Sequence, residues 1–322
     1  MRTLKGYLLY EPHDAQKNTG FIELFMEESK RKGVTLSLLL TTDERLLPLT
    51  SHLSLNSFSS NNQMPSAPAA HTGTDQLCAD TLENPDFIIN RSRIPALSRT
   101  LERCGIHVFN SAKVCEICND KRRTYEYLKE YGIPSMDTVY PENPADGSAA
   151  REFGYPFVLK PAGGHGGRHV GLIRDERELH EALSALKKDY GIIPKLVFQR
   201  CASDIGKDLR VYVLGGKIIA GMMRVGADPQ SQKPEIRANF SLGGTASLHV
   251  LTKEETALTE KISAALPADL VGIDFIYHNG RPIFNEIEDV VGTRMLYANT
   301  HIDIVKEYLA YVVKICCNEG KG

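Results

Sequence analysis

The sequence predicts an open α/β sheet followed by an α+β region, and three observations support this class. Strand and helix patterns alternate through the first third of the 322 residues. A glycine-rich segment at residues 163–167 separates two predicted strands. Two hairpin signatures follow, Gly215-Gly216 and Asn279-Gly280, each flanked by apolar runs. Alternation of strands and helices indicates a parallel sheet, whereas hairpins indicate antiparallel pairing.

The first third has the element order of a Rossmann-like sheet. We expect strands at residues 6–10, 35–40, 87–90 and 106–109, with helices at 19–32 and 95–104. The run at 35–40 contains four leucines, and we interpret it as a strand covered on both faces. A Gly-x-Gly-x-x-Gly turn does not follow the first strand, so a dinucleotide site is not expected. This domain is predicted to occupy residues 1–112, with a mobile surface insertion at 52–76 that is rich in Ser, Asn and Pro.

The remaining chain divides into two predicted lobes, residues 113–194 and 195–322. The first lobe begins with a helix at 121–129 that Asp120 can cap, and it contains the glycine-rich segment. The second lobe contains both hairpins, and Thr252 with Glu255 forms a capping box for a helix that extends to about residue 266. A final helix is predicted at 302–314.

Composition argues against several classes of function. The chain has 42% hydrophobic and 24% charged residues and a formal net charge of -2, which gives no support for nucleic-acid or membrane-surface binding. No stretch approaches the ~18 apolar residues of a membrane span, and no signal peptide is recognisable, so we expect a soluble cytoplasmic protein. Seven scattered cysteines do not indicate a disulfide framework, and Cys115 and Cys118 are predicted to be structural thiols.

The glycine-rich segment is a candidate phosphate-binding loop. Four of its five residues are glycine, so its backbone can approach phosphate closely and direct several N–H groups at it. Lys160 ends the preceding strand and can add a compact positive charge. The spacing is not the Walker pattern and no helix follows directly, which predicts a flap between strands; an ordinary flexible hairpin is the alternative.

Three acidic residues on the last hairpin, Asp274, Glu286 and Glu288, form a candidate metal site. Magnesium prefers carboxylate and phosphate oxygens, and Glu286 and Glu288 share one face because they are two residues apart on a strand. An exposed acidic edge is the alternative, but the intervening residues are apolar.

The position of Asp274 depends on the hairpin turn. A two-residue turn at 279–280 pairs Ile273 with Glu286, which places Asp274 on the opposite face. A three-residue loop at 278–280 aligns all three carboxylates. The metal hypothesis therefore predicts the longer loop or an equivalent β-bulge.

Two further polar pairs are candidates for binding phosphate or carboxylate. Asp208 and Arg210 are spaced by two residues, as are Arg237 and Asn239, so each pair faces one side of an extended strand. Arginine binds such anions through two parallel hydrogen bonds. Each pair taken alone is equally typical of surface polar residues.

These motifs, in this order, resemble the ATP-grasp superfamily, and within it the branch of the ribosomal-protein glutamate ligase and the amino-group-carrier lysine-biosynthesis ligase. The likeness covers roughly residues 110–311 and carries the expectation of a Rossmann-like pre-ATP-grasp domain followed by a two-lobed ATP-grasp fold. It implies ATP and Mg²⁺ as cofactors, with two ions expected and Mn²⁺ as an alternative.

The resemblance also implies roles for individual residues. Those expected to contact the nucleotide are Lys121, Lys160, Gly163, Gly164, Gly166, Gly167, Gln199, Arg200, Cys201, Ala202 and Asp208. Arg210, Arg237 and Asn239 would stabilise the transferred phosphoryl group, and Asp274, Glu286 and Glu288 would bind the metal.

Two positions differ from the pattern of that family. Glu288 stands where the family usually has asparagine, which adds a negative charge at the metal site. Arg200 follows the adenine-side glutamine, where an acidic residue is common. The loop at 289–297 matches no known substrate signature.

The function implied is an ATP-dependent carboxylate–amine ligase that forms an amide or peptide bond through an acyl phosphate. A kinase on the same scaffold and a nucleotide-binding regulatory protein without turnover are the alternatives. The expected partners are small-molecule or peptide carboxylates and amines, and a homo-oligomer is compatible with the sequence. Arg91 and Arg294 are candidate substrate-binding residues, because Arg91 ends a sheet strand and Arg294 follows the predicted metal strand.

Overall fold

The computed structural model describes residues 2–50, 81–226 and 245–319. The predicted insertion at 52–76 lies outside these ranges. The chain divides into two compact units, one formed by Met1–Glu116, Ala268–Leu270 and His301–Gly322, the other by Ile117–Pro267 and Val271–Thr300. Residues 301–322, which the sequence analysis placed with the last lobe, therefore belong to the first unit, whereas a boundary at 194/195 remains a prediction.

The elements are named here in chain order. The strands are β1 (Lys5–Tyr10), β2 (Thr35–Leu40), β3 (Phe87–Asn90), β4 (His107–Phe109), β5 (Thr138–Val139), β6 (Phe157–Pro161), β7 (Gly171–Ile173), β8 (Leu196–Arg200), β9 (Asp204–Leu214), β10 (Lys217–Val225), β11 (Thr245–His249), β12 (Leu270–His278) and β13 (Arg281–Glu288). The helices are α1 (Pro12–Lys17), α2 (Thr19–Arg31), α3 (Leu47–Thr50), α4 (Pro95–Arg103), α5 (Ala112–Cys118), α6 (Lys121–Glu130), α7 (Ser148–Phe153), α8 (Glu176–Tyr190), α9 (Lys253–Ala265), α10 (Arg294–Asn299) and α11 (Ile304–Glu319).

The first unit contains a four-stranded parallel sheet in the order β2-β1-β3-β4. This is the open α/β arrangement that the alternation of elements predicted. The expectation for β2 is wrong: it is an edge strand, and most of its residues are partly or fully exposed, with Leu39 the one fully buried side chain. Its apolar run resembled that of a central strand, because composition alone does not identify the strand at the edge.

Aromatic contacts attach the C-terminal helix to this first unit. The ring of Phe25 on α2 meets that of Tyr308 on α11 edge to face, with centroids 6.1 Å apart. Phe109 at the end of β4 meets Tyr311 in the same way at 6.2 Å. Such pairs bury large apolar areas in a favoured geometry, so α11 contributes to the core of the sheet that begins the chain.

The cysteines differ in state. Cys104 at the end of α4 is disulfide-bonded, a feature that the sequence analysis did not predict. Cys115 and Cys118 are buried in α5 and form no disulfide, as the structural interpretation of that pair expected.

The second unit contains two sheets. One has five strands in the order β11-β10-β9-β12-β13, and the other has four in the order β5-β8-β6-β7. The four-stranded sheet packs its apolar face against α7 and α8 in a buried cluster that includes Phe157, Leu183 and Phe198. Strands β6 and β7 are antiparallel and flank the glycine-rich segment, which confirms the predicted strand-loop-strand arrangement.

Side-chain caps define three helix starts, two of which the sequence predicted. Asp120 accepts a hydrogen bond from the backbone N–H of Arg122 at the start of α6, and Asp175 does the same for Glu178 in α8. Thr252 and Glu255 form the predicted capping box at the start of α9. These caps satisfy N–H groups that have no partner within the helix.

Candidate active site

A cavity in the second unit is lined by residues from both of its sheets and from the glycine-rich segment. It encloses about 910 Å³ that protein atoms do not fill, part of it open to solvent. The predicted site residues that line it are Lys121, Lys160, Gly164, Gly167, Gln199, Arg200, Cys201, Ala202, Asp208, Asp274, Glu286 and Glu288.

Lys121, the first residue of α6, connects the glycine-rich segment to the acidic strand β13. Its Nζ donates to the carbonyl oxygen of Gly164 and forms an ion pair with Glu286 Oε1 at 2.8 Å. Burial alone would lower the pKa of Lys121, but the charge of Glu286 outweighs burial and raises it. Lys121 is therefore a charged group that bridges the loop and the acidic strand.

A second lysine, Lys160 at the end of β6, is fully enclosed and has neutral partners. Its Nζ donates to Gln199 Oε1 and to Asn285 Oδ1, both at 2.8 Å. Gln199 is held in turn by its Nε2, which donates to Thr138 Oγ1 at 3.1 Å. Burial lowers the pKa of Lys160 to about 8, because no carboxylate pairs with it directly.

The register of the last hairpin shows whether Asp274 lies on the same face as Glu286. The turn is a two-residue one, with His278 paired to Arg281 and positive φ angles of 52° at Asn279 and 76° at Gly280. Such a turn alone would have placed Asp274 on the opposite face from Glu286.

A β-bulge restores the alignment. Phe275 pairs with Phe284, but Asp274 pairs with Glu286, so Asn285 is the extra residue on β13. Asp274 and Glu286 consequently lie opposite each other on one face, and Glu288 lies on that face two residues further on. The alternative prediction of a bulge is confirmed.

Asp274 accepts hydrogen bonds from two buried arginines. Arg210 donates from Nε and Nη2 to its two oxygens at 2.8 and 2.7 Å, and Arg224 donates from Nη2 at 2.8 Å. Burial raises the pKa of Asp274, but the two guanidiniums outweigh it and lower the pKa to about 2. Asp274 is thus held as an anion by charge-assisted bonds.

Arg224 is a site residue that the sequence analysis missed. It also donates from Nε to Asp208, and Arg210 pairs with Glu288 Oε1 at 2.7 Å. Three carboxylates and two guanidiniums therefore alternate in one chain of ion pairs beside the cavity: Asp208, Arg224, Asp274, Arg210 and Glu288. The sequence signal for Arg224 was its place in the otherwise apolar strand β10 (Lys217–Val225), because a buried charge needs a partner.

The carboxylates of the predicted metal site, Asp274, Glu286 and Glu288, have the chemistry and the register to bind a divalent cation. In this structure each of them forms an ion pair. Glu286 and Glu288 keep about a fifth of their side chains exposed, 22% and 23%, whereas Asp274 keeps 4%. Throughout the described ranges, no group of three or more His, Cys, Asp and Glu side chains is arranged to hold a metal ion. Carboxylate oxygens on one face of the β12–β13 hairpin fit Mg²⁺, provided that the ion pairs with lysine and arginine are broken.

The remaining predicted residues have varied positions. Arg200 lines the cavity, but its side chain is half-exposed and pairs with Asp137 at 2.9 Å. Gly163, Gly166 and Arg210 are not among the lining residues, although Arg210 binds two that are.

Two predicted catalytic residues, Arg237 and Asn239, lie outside the described residues. Arg91 is buried in the first unit, with its guanidinium carbon 5.2 Å from the ring centroid of Phe21 on α2. Arg294 begins α10 in the second unit. The role of each in substrate binding remains a prediction.

In this cavity a glycine-rich loop and two lysines lie together with the acidic residues of the last hairpin. The family model for the RimK-like ATP-grasp domain matches residues 118–312. The chain therefore belongs to the RimK-like ATP-grasp family.

Named relatives and a solved structure agree with this assignment. Human N-acetylaspartylglutamate synthase A is 29% identical over 251 residues, which are 74% of this chain and 62% of that protein. Glutamate–LysW ligase ArgX of Sulfolobus acidocaldarius is 30% identical over 225 residues, 67% of this chain and 76% of that protein. The chain thus spans less than two thirds of the human synthase.

D-alanine–D-alanine ligase of Bacillus anthracis, solved in complex with ATP, superposes with a TM-score of 0.69 at 14% identity, covering 100% of both chains. At this identity the likeness concerns the fold, and the fold is that of an ATP-grasp protein. No helix among the described residues has the length and apolar character needed to cross a membrane.

Proposed function

We propose that the protein is an ATP-dependent carboxylate–amine ligase that forms an amide or peptide bond through an acyl phosphate. The observation that supports this most directly is one cavity in which Lys121 and Lys160, beneath a glycine loop, face Glu286 and Glu288. Cations and close-approaching backbone suit a triphosphate, and carboxylates suit its metal ion. The names of the relatives, a synthase and a ligase, agree with bond formation rather than phosphoryl transfer alone.

The proposed reaction has two steps. A carboxylate oxygen attacks the γ-phosphorus of ATP, the bond from that phosphorus to the bridging oxygen breaks, and ADP leaves. The amine nitrogen then attacks the acyl carbon, the bond from that carbon to the phosphate oxygen breaks, and phosphate leaves as the amine loses a proton to solvent. Arg210, with Arg237 and Asn239, would stabilise the charge on the transferred group.

Binding of the nucleotide is assigned to the remaining site residues. Lys121 and Lys160 would contact the phosphates, and the loop with Gly163, Gly164, Gly166 and Gly167 would cover them and exclude water. The adenine would lie beside the backbone of residues 199–202, with Asp208 at the same wall of the cavity.

Asp274, Glu286 and Glu288 would hold Mg²⁺, with two ions expected and Mn²⁺ as an alternative. The ion would neutralise phosphate charge as the phosphoryl group moves. For these residues to hold the ion, Lys121 would have to release Glu286 and Arg210 would have to release Glu288, and both side chains would then be available to the nucleotide.

Glutamate is proposed as one substrate, because the names of both relatives include it. Arg91 and Arg294 would bind its carboxylates or those of its partner. Substitution of either arginine by Met should raise the substrate KM while the affinity for ATP stays constant, and unchanged kinetics would dismiss that role. The proposal includes a cytoplasmic location, where ATP is supplied, and leaves a homo-oligomer open.

The test is ADP release over a panel of carboxylates and amines, with glutamate in both roles, followed by mass measurement of the product. Hydroxylamine is added in parallel, because an acyl phosphate yields a hydroxamate. We expect a hydroxamate without amine and an amide with it. Phosphorylated product without hydroxamate would indicate a kinase, and nucleotide binding without turnover would indicate a regulatory protein.

A further inference from the structure

The β-bulge on β13 brings two neighbouring side chains to the same cavity. Asn285 and Glu286 are consecutive, yet both line the cavity beside Lys160. In a regular strand successive side chains point to opposite faces, so only one of them would reach it. The unpaired position of Asn285 between the Phe275–Phe284 and Asp274–Glu286 pairs is what allows both to do so.

Contacts from outside the hairpin hold this bulge in place. The backbone N–H of Phe284 donates to the carbonyl of Pro134 at 3.1 Å, where Ser135 forms a bridge with the strand. Tyr125 on α6 donates its hydroxyl to the carbonyl oxygen of Asn285 at 2.7 Å. Contacts with other segments therefore hold the backbone both at the extra residue and just before it, which indicates that the bulge is a specific feature of the fold.

The side chain of Asn285 completes a two-amide cradle for Lys160. One amide oxygen comes from Asn285 and the other from Gln199, each 2.8 Å from Nζ. An ammonium group has three N–H donors, and two neutral acceptors orient it without cancelling its charge. A carboxylate at either position would instead neutralise the lysine in an ion pair. The third N–H, and the positive charge of the protonated lysine, remain for a phosphate.

We propose that Asn285 is a positioning residue that fixes Lys160 toward the nucleotide phosphates through the β-bulge. The inference rests on the proposed nucleotide site and deepens it, since it names the group that orients one phosphate-binding lysine. As a positioning residue, Asn285 is expected to act on the nucleotide through Lys160, the side chain to which its amide oxygen is bonded.

The test measures ADP affinity by calorimetry in the presence of EDTA, so that neither metal nor turnover contributes. Asn285→Leu should weaken ADP binding by roughly tenfold, because Lys160 loses one of its two orienting partners. Asn285→Asp, which keeps the shape, should weaken it at least as much, since the carboxylate pairs with Lys160 and repels phosphate. In the kinetics of the unsubstituted and substituted proteins, KM for ATP should change more than kcat.

A double-mutant cycle separates positioning from general damage. In a Lys160→Met background, Asn285→Leu should change ADP affinity by less than about twofold, because its only route of action is gone. Asn143→Leu, which removes an exposed amide contact in the same unit, is the matched control and should leave affinity unchanged.

An equal loss of affinity from Asn285→Leu in both backgrounds would overturn the proposal, as would an Asn285→Asp variant that binds ADP like the unsubstituted protein. If the leucine variant does not fold, the isosteric aspartate decides. A protein that binds ADP with the expected cycle but ligates nothing would refute the proposed function and leave this inference standing.

Discussion

At the scale of single residues, Gly272 on β12 shows how closely the acidic wall is packed. A Cβ atom at this position would lie 2.6 Å from Cγ2 of Val291 and 3.4 Å from Cδ and Nε of Arg210. Val291 is fully buried, and the neighbouring Gly292 carbonyl accepts a hydrogen bond from Tyr212 at 2.7 Å. The loop after β13 therefore rests directly on the strand that carries Asp274.

We expect Gly272→Ala to destabilise the protein by about 1–3 kcal/mol and to lower ADP release, because the new methyl group displaces Val291 or Arg210. Thermal denaturation and the coupled assay measure the two effects. Val291→Ala removes the conflicting methyl groups, so the double variant should recover most of the loss in activity. No recovery would mean that glycine is needed here for another reason.

The grouping of single residues could be predicted where chemistry and spacing coincide, while their roles stay predictions. Lys121, Lys160 and the three acidic residues were identified from sequence and do line one cavity. Arg224 was missed, because an arginine within an apolar strand gives no spacing pattern and reveals its role only through its partners. Asn285 was missed because its position depends on a bulge, which arises from contacts with distant segments.

At the scale of elements, the glycine-rich segment is held at its far end by α8. His169 Nε2 lies 3.0 Å from Asp189 Oδ2, and Arg168 Nη2 lies 3.3 Å from the same oxygen. His169 has a positive φ of 57°, a conformation that a non-glycine residue adopts at a cost. The contact with Asp189 helps to offset that cost and ties the segment to a rigid helix.

We expect Asp189→Asn to loosen the segment, because the amide cannot form the ion pair with Arg168. Trypsin should then cleave after the exposed Arg168 several-fold faster, and KM for ATP should rise with a smaller change in kcat. Glu181→Gln is the matched control, since it removes an exposed ion pair with Arg177 elsewhere on α8. Equal cleavage rates in all three proteins would show that Asp189 does not restrain the segment.

The types of the elements could be predicted from periodicity and turn chemistry. The edge position of β2 and the β-bulge in β13 could not. The capping box, the glycine turns and the order of strands and helices are local signals, and they were read correctly. The exposure of β2 depends on which strand is last in the sheet, and the register of β12 with β13 depends on the bulge. Both are set by packing between segments far apart in sequence.

At the scale of the whole molecule, the order of motifs predicted the family more reliably than it predicted the limits of the compact units. The motifs that carried the resemblance, between Lys121 and Glu288, lie within the match at residues 118–312. The assignment of residues 301–322 to the first unit rests on aromatic contacts of α11 that no local signal announces. Chain order alone therefore places a terminal helix poorly, because termini can return to the core where the chain began.

Asp269, in the first unit, links the stability of the fold to pH. Its backbone N–H donates to Asn110 Oδ1 at 2.6 Å, and Tyr311 donates its hydroxyl to Asp269 Oδ1 at 2.8 Å. Burial raises the pKa of Asp269 to about 6, although the hydrogen bond from Tyr311 lowers it. The carboxyl group is thus more easily protonated in the folded protein than in the unfolded chain, where its pKa is about 3.9.

The sign of the effect follows from this difference. A raised pKa in the folded state contributes stability that is complete below pH 4 and is lost as the pH rises through 6. A rise from 3.8 to about 6 corresponds to about 3 kcal/mol at full burial; since the side chain keeps some solvent contact, we expect about 1–3 kcal/mol. Asp269→Asn keeps an oxygen for Tyr311 and cannot ionise, so it should raise Tm at pH 8 and have little effect at pH 4.5.

Tyr311→Phe should change Tm at pH 8 in the opposite direction to Asp269→Asn. Loss of its hydroxyl removes a donor that favours the ionised form, so Tm should fall more at pH 8 than at pH 4.5. Other titrating groups are common to all three proteins and cancel when each variant is compared with the unsubstituted chain at one pH. If the two variants shift Tm by amounts that do not depend on pH, then Asp269 is ionised equally in both states, and burial within this unit does not control its charge.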